Sequence, residues 1–522
     1  MMPGNEAFLR PDVYTFESEV GAQPLALTGT AAAGFVDVAT WGPIGQATLV
    51  TSPEDAYRKF GDDYSVGNLV RSLKNFFIMG GQRAYVSRVA KFSNNVYTAT
   101  SSTATITDGG SGSDDLFRVD ALYPGTRGDE ISIVISNAVS ATSEEPAYFD
   151  LTVLFRGVPV ERYANVTLDE DDPNNIEARI NADPSRQWLG SRYITVTNLL
   201  TTYAGEEPEE GTTVLTGGSN GDDSIGAEDY VGDPARYDGV YAFDRVDEIV
   251  NICHPGNTSV EVILGGLNYV YNWSFTKPPR TNMYVYDLPL GYEPQDALEF
   301  VRDDIANTTG YESAYYPWVK VGNRYDPVSP YMLGIWAKND LEYGVWESPA
   351  GCRFPLAPVT GLAHECTLGE EQILHPHGIN YISKRDYWGY VPWGARTLRV
   401  HTKFRYLAVR RFVNLIKKTL YNGGQQFVHR MNGPALWRQI EETADMLMRH
   451  FWSLGAFGGK PVKSSYYVKC DKTTNPPELI EQGICTCEIG MVPAKPAEYI
   501  VFNVLLYAEG ALPLGDAMSL TE

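Results

Sequence analysis

Residues 249–271 read IVNICHPGNTSVEVILGGLNYVY, a complete strand–turn–helix unit. The apolar, β-branched run 249–253 predicts a buried strand, closed by His254, Pro255 and Gly256. Residues 260–271 predict a helix. The unit then repeats, with strands over 283–286 and 315–321 flanking a helix over 294–307. Strands alternating with helices imply parallel strands joined by right-handed crossovers. The same texture stands near the start of the chain. Small apolar residues 29–38 predict a strand, as do 48–51 and 83–89. Ser52, Pro53 and Asp55 mark a helix start. Val66, Leu69, Val70, Leu73, Phe76 and Phe77 fall at helical spacing. The expected fold class is α+β or α/β, multidomain, with a mixed-sheet core and flanking helices.

Between these two α/β segments, residues 91–225 are rich in Ser, Thr, Asp and Gly. Alternating runs at 116–119, 131–135, 149–155 and 193–196 predict an inserted, mostly β outer domain. The expected organisation is an N-terminal arm (1–24), a first core segment (25–90), the insert (91–225), an α/β middle domain (226–393) that turns loop-rich after 322, a C-terminal core and assembly domain (394–495) and a C-terminal arm (496–522).

The C-terminal block predicts two amphipathic helices, their stripes carried by Phe404, Ala408, Phe412, Leu415 and Leu420, then by Leu436, Ile440, Leu447, Phe451 and Leu454. Residues 396–472 carry 15 Lys and Arg against 4 Asp and Glu, in a chain of net charge −23. Arg410, Arg411, Lys417 and Lys418 share a helix face and are the candidate contact residues; a plain solvated face is the alternative. Strands are expected at 465–470 and 484–489. The run AEYIVFNVLLY (497–507) lies between Pro493 and Pro496 on one side and Gly510 and Pro513 on the other. It is either a central strand or one donated to a neighbouring sheet. The short run at 13–17 likewise cannot satisfy its own backbone.

The acidic balance disfavours nucleic acid as a partner. No apolar run reaches the roughly 20 residues of a membrane helix, and the opening MMPGNEAFLRP lacks the features of a signal peptide. The expectation is a chain made in a cytoplasm, without membrane insertion. Among candidate metal ligands, His364, Cys366, His375, His377 and Cys352 cluster in sequence but fit no zinc spacing. Cys470, Cys485 and Cys487 are disulfide candidates, within or between subunits; buried free thiols are the alternative. The Gly-rich run 217–223 lacks the Lys and helix of a phosphate loop and reads as a linker. No catalytic motif appears, so no catalytic residue and no cofactor is expected.

The chain resembles the contractile tail sheath proteins of bacteriophages. The resemblance is carried by RPDVYTFESE (10–19), GPIGQATLVTSPEDAYRKFG (42–61), FFIMGGQRAYVSRVA (76–90), VDEIVNICHPG (246–256), SAYYPWVKV (313–321) and GVWESPAG (344–351). Its most specific stretches are GARTL (394–398), YLAVRRFVNLIKKTL (406–420), LWRQI (436–440), Cys470-Asp471 and CEIGMVPAKPAEYIVF (487–502). Family members often have PGVY where this chain has RPDVY, and residues 91–225 carry no resemblance. The resemblance implies a homo-oligomer of stacked rings around a tail tube, with baseplate and tail terminator partners. Such a sheath is assembled in the host cytoplasm and resides in the virion. It shortens to drive the tube through the host envelope for genome ejection. It also implies arms that add strands to neighbouring subunits, through Val13, Tyr14 and Phe16 and through Tyr499, Ile500, Val501, Phe502 and Val504. Arg410, Arg411, Lys417 and Lys418 would then face the tube. The nearest alternative is the sheath of a type VI secretion system or of an extracellular contractile injection particle. Type VI sheaths use two different chains, whereas this one carries both arms and the whole C-terminal block. A metal-dependent hydrolase built on the Cys/His cluster is a remote alternative.

Overall fold

The computed structural model describes residue 25 and residues 27–62, 66–108, 114–142, 145–182, 190–271, 281–306 and 309–500. Its centre is an eight-stranded sheet in the order Thr48–Val50, Arg83–Arg88, Ala32–Asp37, Val250–Cys253, Tyr284–Asp287, Glu312–Tyr316, Asn380–Arg385, Gly389–Pro392. The six inner strands are parallel, and each edge strand is antiparallel to its neighbour. The inner strands run apolar because both faces are covered. Ala33, Phe35, Val285 and Tyr315 meet helices Leu69–Ile78 and Ser329–Glu342 on one side. Val36, Ile252, Tyr284 and Tyr316 meet helices Val260–Tyr271 and Pro294–Glu299 on the other. The alternation follows from the two-residue period of a strand.

Helix Ser329–Glu342 lies where the sequence reads as loop. It is buried nearly all round, so no polar stripe marks its period. At Gly334 a Cβ would sit 2.5 Å from the carbonyl oxygen of Phe76, so the helix backbones meet too closely for a side chain. The helix expected over 294–307 is α-helical only over Pro294–Glu299 and continues as a π-helical turn, Phe300–Ile305.

Within the inserted segment, a four-stranded and a three-stranded antiparallel sheet enclose a separate core, in which Phe117 stacks on Phe149. Its two ends run alongside each other, with Thr100 bridged to Ser219 and Thr103 to Thr216. The glycine run 217–223 thus belongs to a paired stalk: Gly218 donates its N–H to Asp129, and Gly221 accepts from Lys91.

The C-terminal unit packs helices Leu407–Gly424 and Pro434–Ser453 around Phe412, Leu415, Leu447, Met448, Phe451 and Phe457. A hairpin of Tyr466–Lys469 and Glu488–Met491 closes it. The first helix begins later than its sequence stripe suggests, because Phe404 lies outside it. It also runs through Asn422 and Gly423 to Gly424.

Candidate assembly interface

In open α/β sheets, ligands bind at the carboxyl ends of the strands. Here those ends are occupied by the chain itself. Asp37, the last residue of its strand, accepts from Val38 and Asn68 N–H. Asp287 accepts from Val328 N–H (2.8 Å), Ser329 N–H (2.7 Å), Ser329 Oγ–H (2.6 Å) and Gly256 N–H (3.2 Å). It thereby caps a helix start, where orphan N–H groups and the dipole favour a carboxylate. His254 is enclosed between Tyr284 Oη (2.8 Å) and the carbonyl of Tyr230. Burial pushes the Asp37 carboxyl up to about 7 and the His254 imidazole down to about 4.

The sequence cluster of histidines and cysteines does not converge. His375 lies beside Tyr381 and Tyr499, and His377 Nδ1 faces the carbonyl of Ile373 at 2.8 Å. Cys366 packs against the sheet core. His364 meets two glutamates instead. The hydrolase reading built on that cluster therefore has no assembled site.

The expected basic contact face needs correction. Arg410 and Arg411 are buried inside the subunit. Arg411 forms a two-pronged ion pair with Asp340 (Nη1 to Oδ1 2.9 Å), both side chains under 4% exposed. Arg410 lies 3.7 Å over the Phe404 ring and donates to Gly310 O. Their planar guanidiniums suit buried, multidentate roles, which helical spacing alone does not separate from a surface patch. Lys417 and Lys418 are partly exposed; Lys418 pairs with Asp247 at 2.9 Å and Lys417 reaches Tyr311 Oη at 3.3 Å. Exposed cations of residues 396–472 are elsewhere, among them Lys403, Arg405, Arg430, Arg438, Arg449, Lys460, Lys463 and Lys472.

The hairpin strands pair Tyr466 with Met491 through Lys469 with Glu488, and no third strand joins them among the described residues. An isolated two-stranded ribbon is marginal in water and leaves a row of unpaired backbone groups at each outer edge. The expected strand over 484–489 begins only at Glu488, so Cys485 and Cys487 lie in a loop and not on one strand face. Asn475 holds that loop, accepting from Thr486 N–H at 2.6 Å and donating to its carbonyl at 3.0 Å. Cys470, Cys485 and Cys487 are free thiols gathered around buried Cys470.

The chain leaves this unit at a defined point. Arg396 donates through Nε to Glu498 Oε1 at 2.9 Å and through a second nitrogen to the other oxygen. Its third nitrogen donates to His375 O at 3.1 Å. The Tyr499 ring stands edge-on to His375. Immediately beyond the clasp, Tyr499 and Ile500 are 75% and 73% exposed. Val501, Phe502 and Val504 lie outside the described residues, as do Val13, Tyr14 and Phe16. At the other end, Leu25 packs on Gly423, near the C-terminus of helix Leu407–Gly424. Arg396 is bridged to Tyr406, at that helix's N-terminus. At 1.5 Å per residue the helix runs roughly 25 Å between these two contacts. The GARTL block was legible as important, but its role as anchor for Glu498 was not. An ion pair spanning 102 positions leaves no local pattern.

No family model matches the chain. A 192-residue stretch is 29% identical to the tail sheath protein of Enterobacteria phage T4, covering 36% of this chain and 28% of that protein. Another of 182 residues is 27% identical to a putative prophage major tail sheath protein of Pseudomonas aeruginosa (strain UCBPP-PA14), covering 34% and 45%. The matched regions thus span less than half of either relative. The helical sheath of the anti-feeding prophage, solved in its contracted state, superposes with a TM-score of 0.58 at 18% identity, over 95% of this chain and 98% of that one. At that identity the likeness shows the fold.

Proposed function

We propose that this chain, similar in sequence and fold to contractile tail sheath proteins, polymerises into a helical sheath whose shortening drives a tail tube through a cell envelope. The observation that carries the reading is the pairing of an open-edged hairpin with a chain end that is clasped, then released exposed. A strand arriving from a neighbour completes such a ribbon by β-augmentation. The arm beyond Glu498 supplies one donor, and residues 13–17 supply another. Leu25 and the Glu498 anchor lie toward opposite ends of one helix, and arms that reach different neighbours belong to this reading. Polar contacts with a tube fall to Lys417, Lys418 and the exposed cations of the second helix and hairpin, which hold register without a permanent apolar seal. Baseplate and terminator contacts belong to the same reading, and no nucleotide or cofactor is required by it.

The test is expression of the chain alone, followed by electron microscopy. Tubular polymers are expected from the full chain. Deletion of residues 498–522 is expected to leave a folded subunit that does not polymerise. Normal tubes from the deletion would remove strand donation by the C-terminal arm.

A second reading is favoured by the near-complete superposition on the anti-feeding prophage sheath. In it the sheath belongs to an injection particle without a genome. The nucleic-acid content of purified particles separates the two.

A further inference from the structure

His364 lies between two carboxylates, with Nδ1 3.2 Å from Glu293 Oε2 and Nε2 3.3 Å from Glu370 Oε1. A neutral imidazole carries one N–H, so it satisfies one of these contacts and turns a lone pair toward the other. Nε2 is enclosed, yet its approach to Glu370 is not aligned for a hydrogen bond. No Lys or Arg pairs with Glu293 or Glu370 among the described residues, so the carboxylates bring two uncompensated charges. Glu370 is fixed by its capping box: Oε2 accepts from Thr367 N–H and Oγ–H, leaving Oε1 turned toward the imidazole. Glu293 is the N-cap residue of helix Pro294–Glu299, and its side chain is 66% exposed. One donor atom from each of the three residues lies within 4.8 Å of the others. A cleft of about 40 Å³ lined by Glu293, Tyr316, Trp318 and His364 adjoins them.

We propose that Glu293, His364 and Glu370 bind a divalent first-row transition-metal ion of zinc type, which cross-links the starts of helices Pro294–Glu299 and Leu368–Leu374. One imidazole nitrogen and two carboxylates form a zinc donor set that leaves a position for water. One ion takes a single imidazole nitrogen, so only one of the two short contacts of His364 lies beside it. The three donor atoms, within 4.8 Å of one another, close on a common centre when the exposed Glu293 carboxylate turns to the nitrogen that faces Glu370. The double charge of the ion matches the two carboxylates. A proton on His364 supplies only one. The role is structural and does not depend on the sheath reading.

The test is zinc uptake by the chelator-treated full-length chain, read by calorimetry and by elemental analysis, against His364→Ala and Glu293→Gln. The second variant is at an exposed side chain and keeps its fold. Wild type is expected to take up one equivalent more than either variant, or to bind that equivalent at least tenfold more tightly, with a rise in melting temperature that both variants lose. Zinc held at the Cys470, Cys485 and Cys487 thiols would be retained equally by all three proteins. Cobalt substitution separates the sites further, because a His/Glu/Glu site gives no thiolate charge-transfer band. Equal uptake and equal melting shifts in wild type and both variants would overturn the proposal.

Discussion

Arg411 and Asp340 show how far a side chain's chemistry can depart from its place in a helical pattern. Arg411 stands on a basic face in sequence, yet its guanidinium is enclosed against Asp340 and the Trp336 ring. Removing one member leaves a buried, unpaired charge. Arg411→Ala or Asp340→Asn is therefore expected to cost about 3–5 kcal/mol. Arg411→Met with Asp340→Leu is expected to recover most of it, because two apolar side chains of similar volume need no partner. Denaturant unfolding of the four proteins measures both, and a loss below 1 kcal/mol for the single variants would return Arg411 to the contact surface. Asp37 and His254 carry a second residue-scale consequence. His254 titrates near 4 when folded and near 6.5 when free. Its contribution to stability is complete above pH 6.5 and is lost as pH falls toward 4. Asp37 titrates near 7 when folded and 3.8 when free. Its contribution is complete below pH 3.8 and is lost as pH rises through 7. The two slopes oppose each other between pH 4 and 6.5, each bounded at about 1.4 kcal/mol per pH unit. Relative to wild type, Asp37→Asn is expected to gain stability as pH rises across that window, and His254→Asn to lose it. Unfolding curves at half-unit steps of pH read the two trends, and parallel profiles would show that neither group titrates on unfolding.

At the scale of elements, the clasp of Arg396 and Glu498 joins GARTL to the root of the C-terminal arm. Its side chains are only 7% and 15% exposed, so removing one partner leaves a poorly hydrated charge and costs stability as well as direction. Arg396→Glu is expected to free the arm, raising the rate of proteolysis at Tyr499 several-fold, and to lower the melting temperature because Glu498 and the His375 carbonyl lose their partner. Glu498→Arg in the same chain is expected to restore protection. A double variant as labile as the single would show that the exit is set by Pro493 and Pro496 and not by the ion pair. What the sequence made legible divides along the same line. Elements whose period is local were readable: the strands at 249–253 and 283–286, helix Val260–Tyr271, four insert strands at 116–119, 131–135, 149–155 and 193–196, and both long C-terminal helices. The insert strands Thr103–Thr107, Val158–Val166 and Gly211–Val214 were not. Helix Ser329–Glu342 was not, because total burial erases the amphipathic signal. The hairpin's second strand was displaced by Asn475, whose contact to Thr486 spans a loop. In the candidate interface, the apolar run 497–507 was visible in the sequence. The burial of Arg410 and Arg411, the anchor at Arg396 and the closeness of His364 to Glu293 all depend on partners at least 70 positions away, which no window of sequence contains.

For the whole molecule, the insert is the separable unit, and the reason is geometric. Its two ends run antiparallel from Thr100 and Ser219 to Thr103 and Thr216, so the α/β core sees a two-stranded stalk and not a gap. Arg88, at the end of a core strand, clamps the base: it donates to Gly42 O at 2.7 Å, Pro124 O at 2.6 Å and Asn220 O at 3.4 Å. Only the second of these partners lies inside the segment 104–215. Further ties are Trp41, which packs edge-on to Tyr123 within the insert's own core, the exposed ion pair of Arg156 with Asp62, and Arg127, which donates to Tyr57 O and Thr40 O. Replacing residues 104–215 by an Asn-Gly turn closes the stalk with a short hairpin connection, and Trp41→Gln covers the surface so exposed. The excised chain is expected to fold with a single cooperative transition, because both faces of the eight-stranded sheet keep their helices. In the proposed sheath it is also expected to polymerise, since the hairpin, the clasp and both arms belong to other regions of the chain. The tubes should be narrower on the outside and unchanged in inner diameter. Electron microscopy of negatively stained polymers reads both diameters. A folded excised chain that stays monomeric would move some of the lattice contact into the insert, and a narrowed inner channel would put the insert on the tube side.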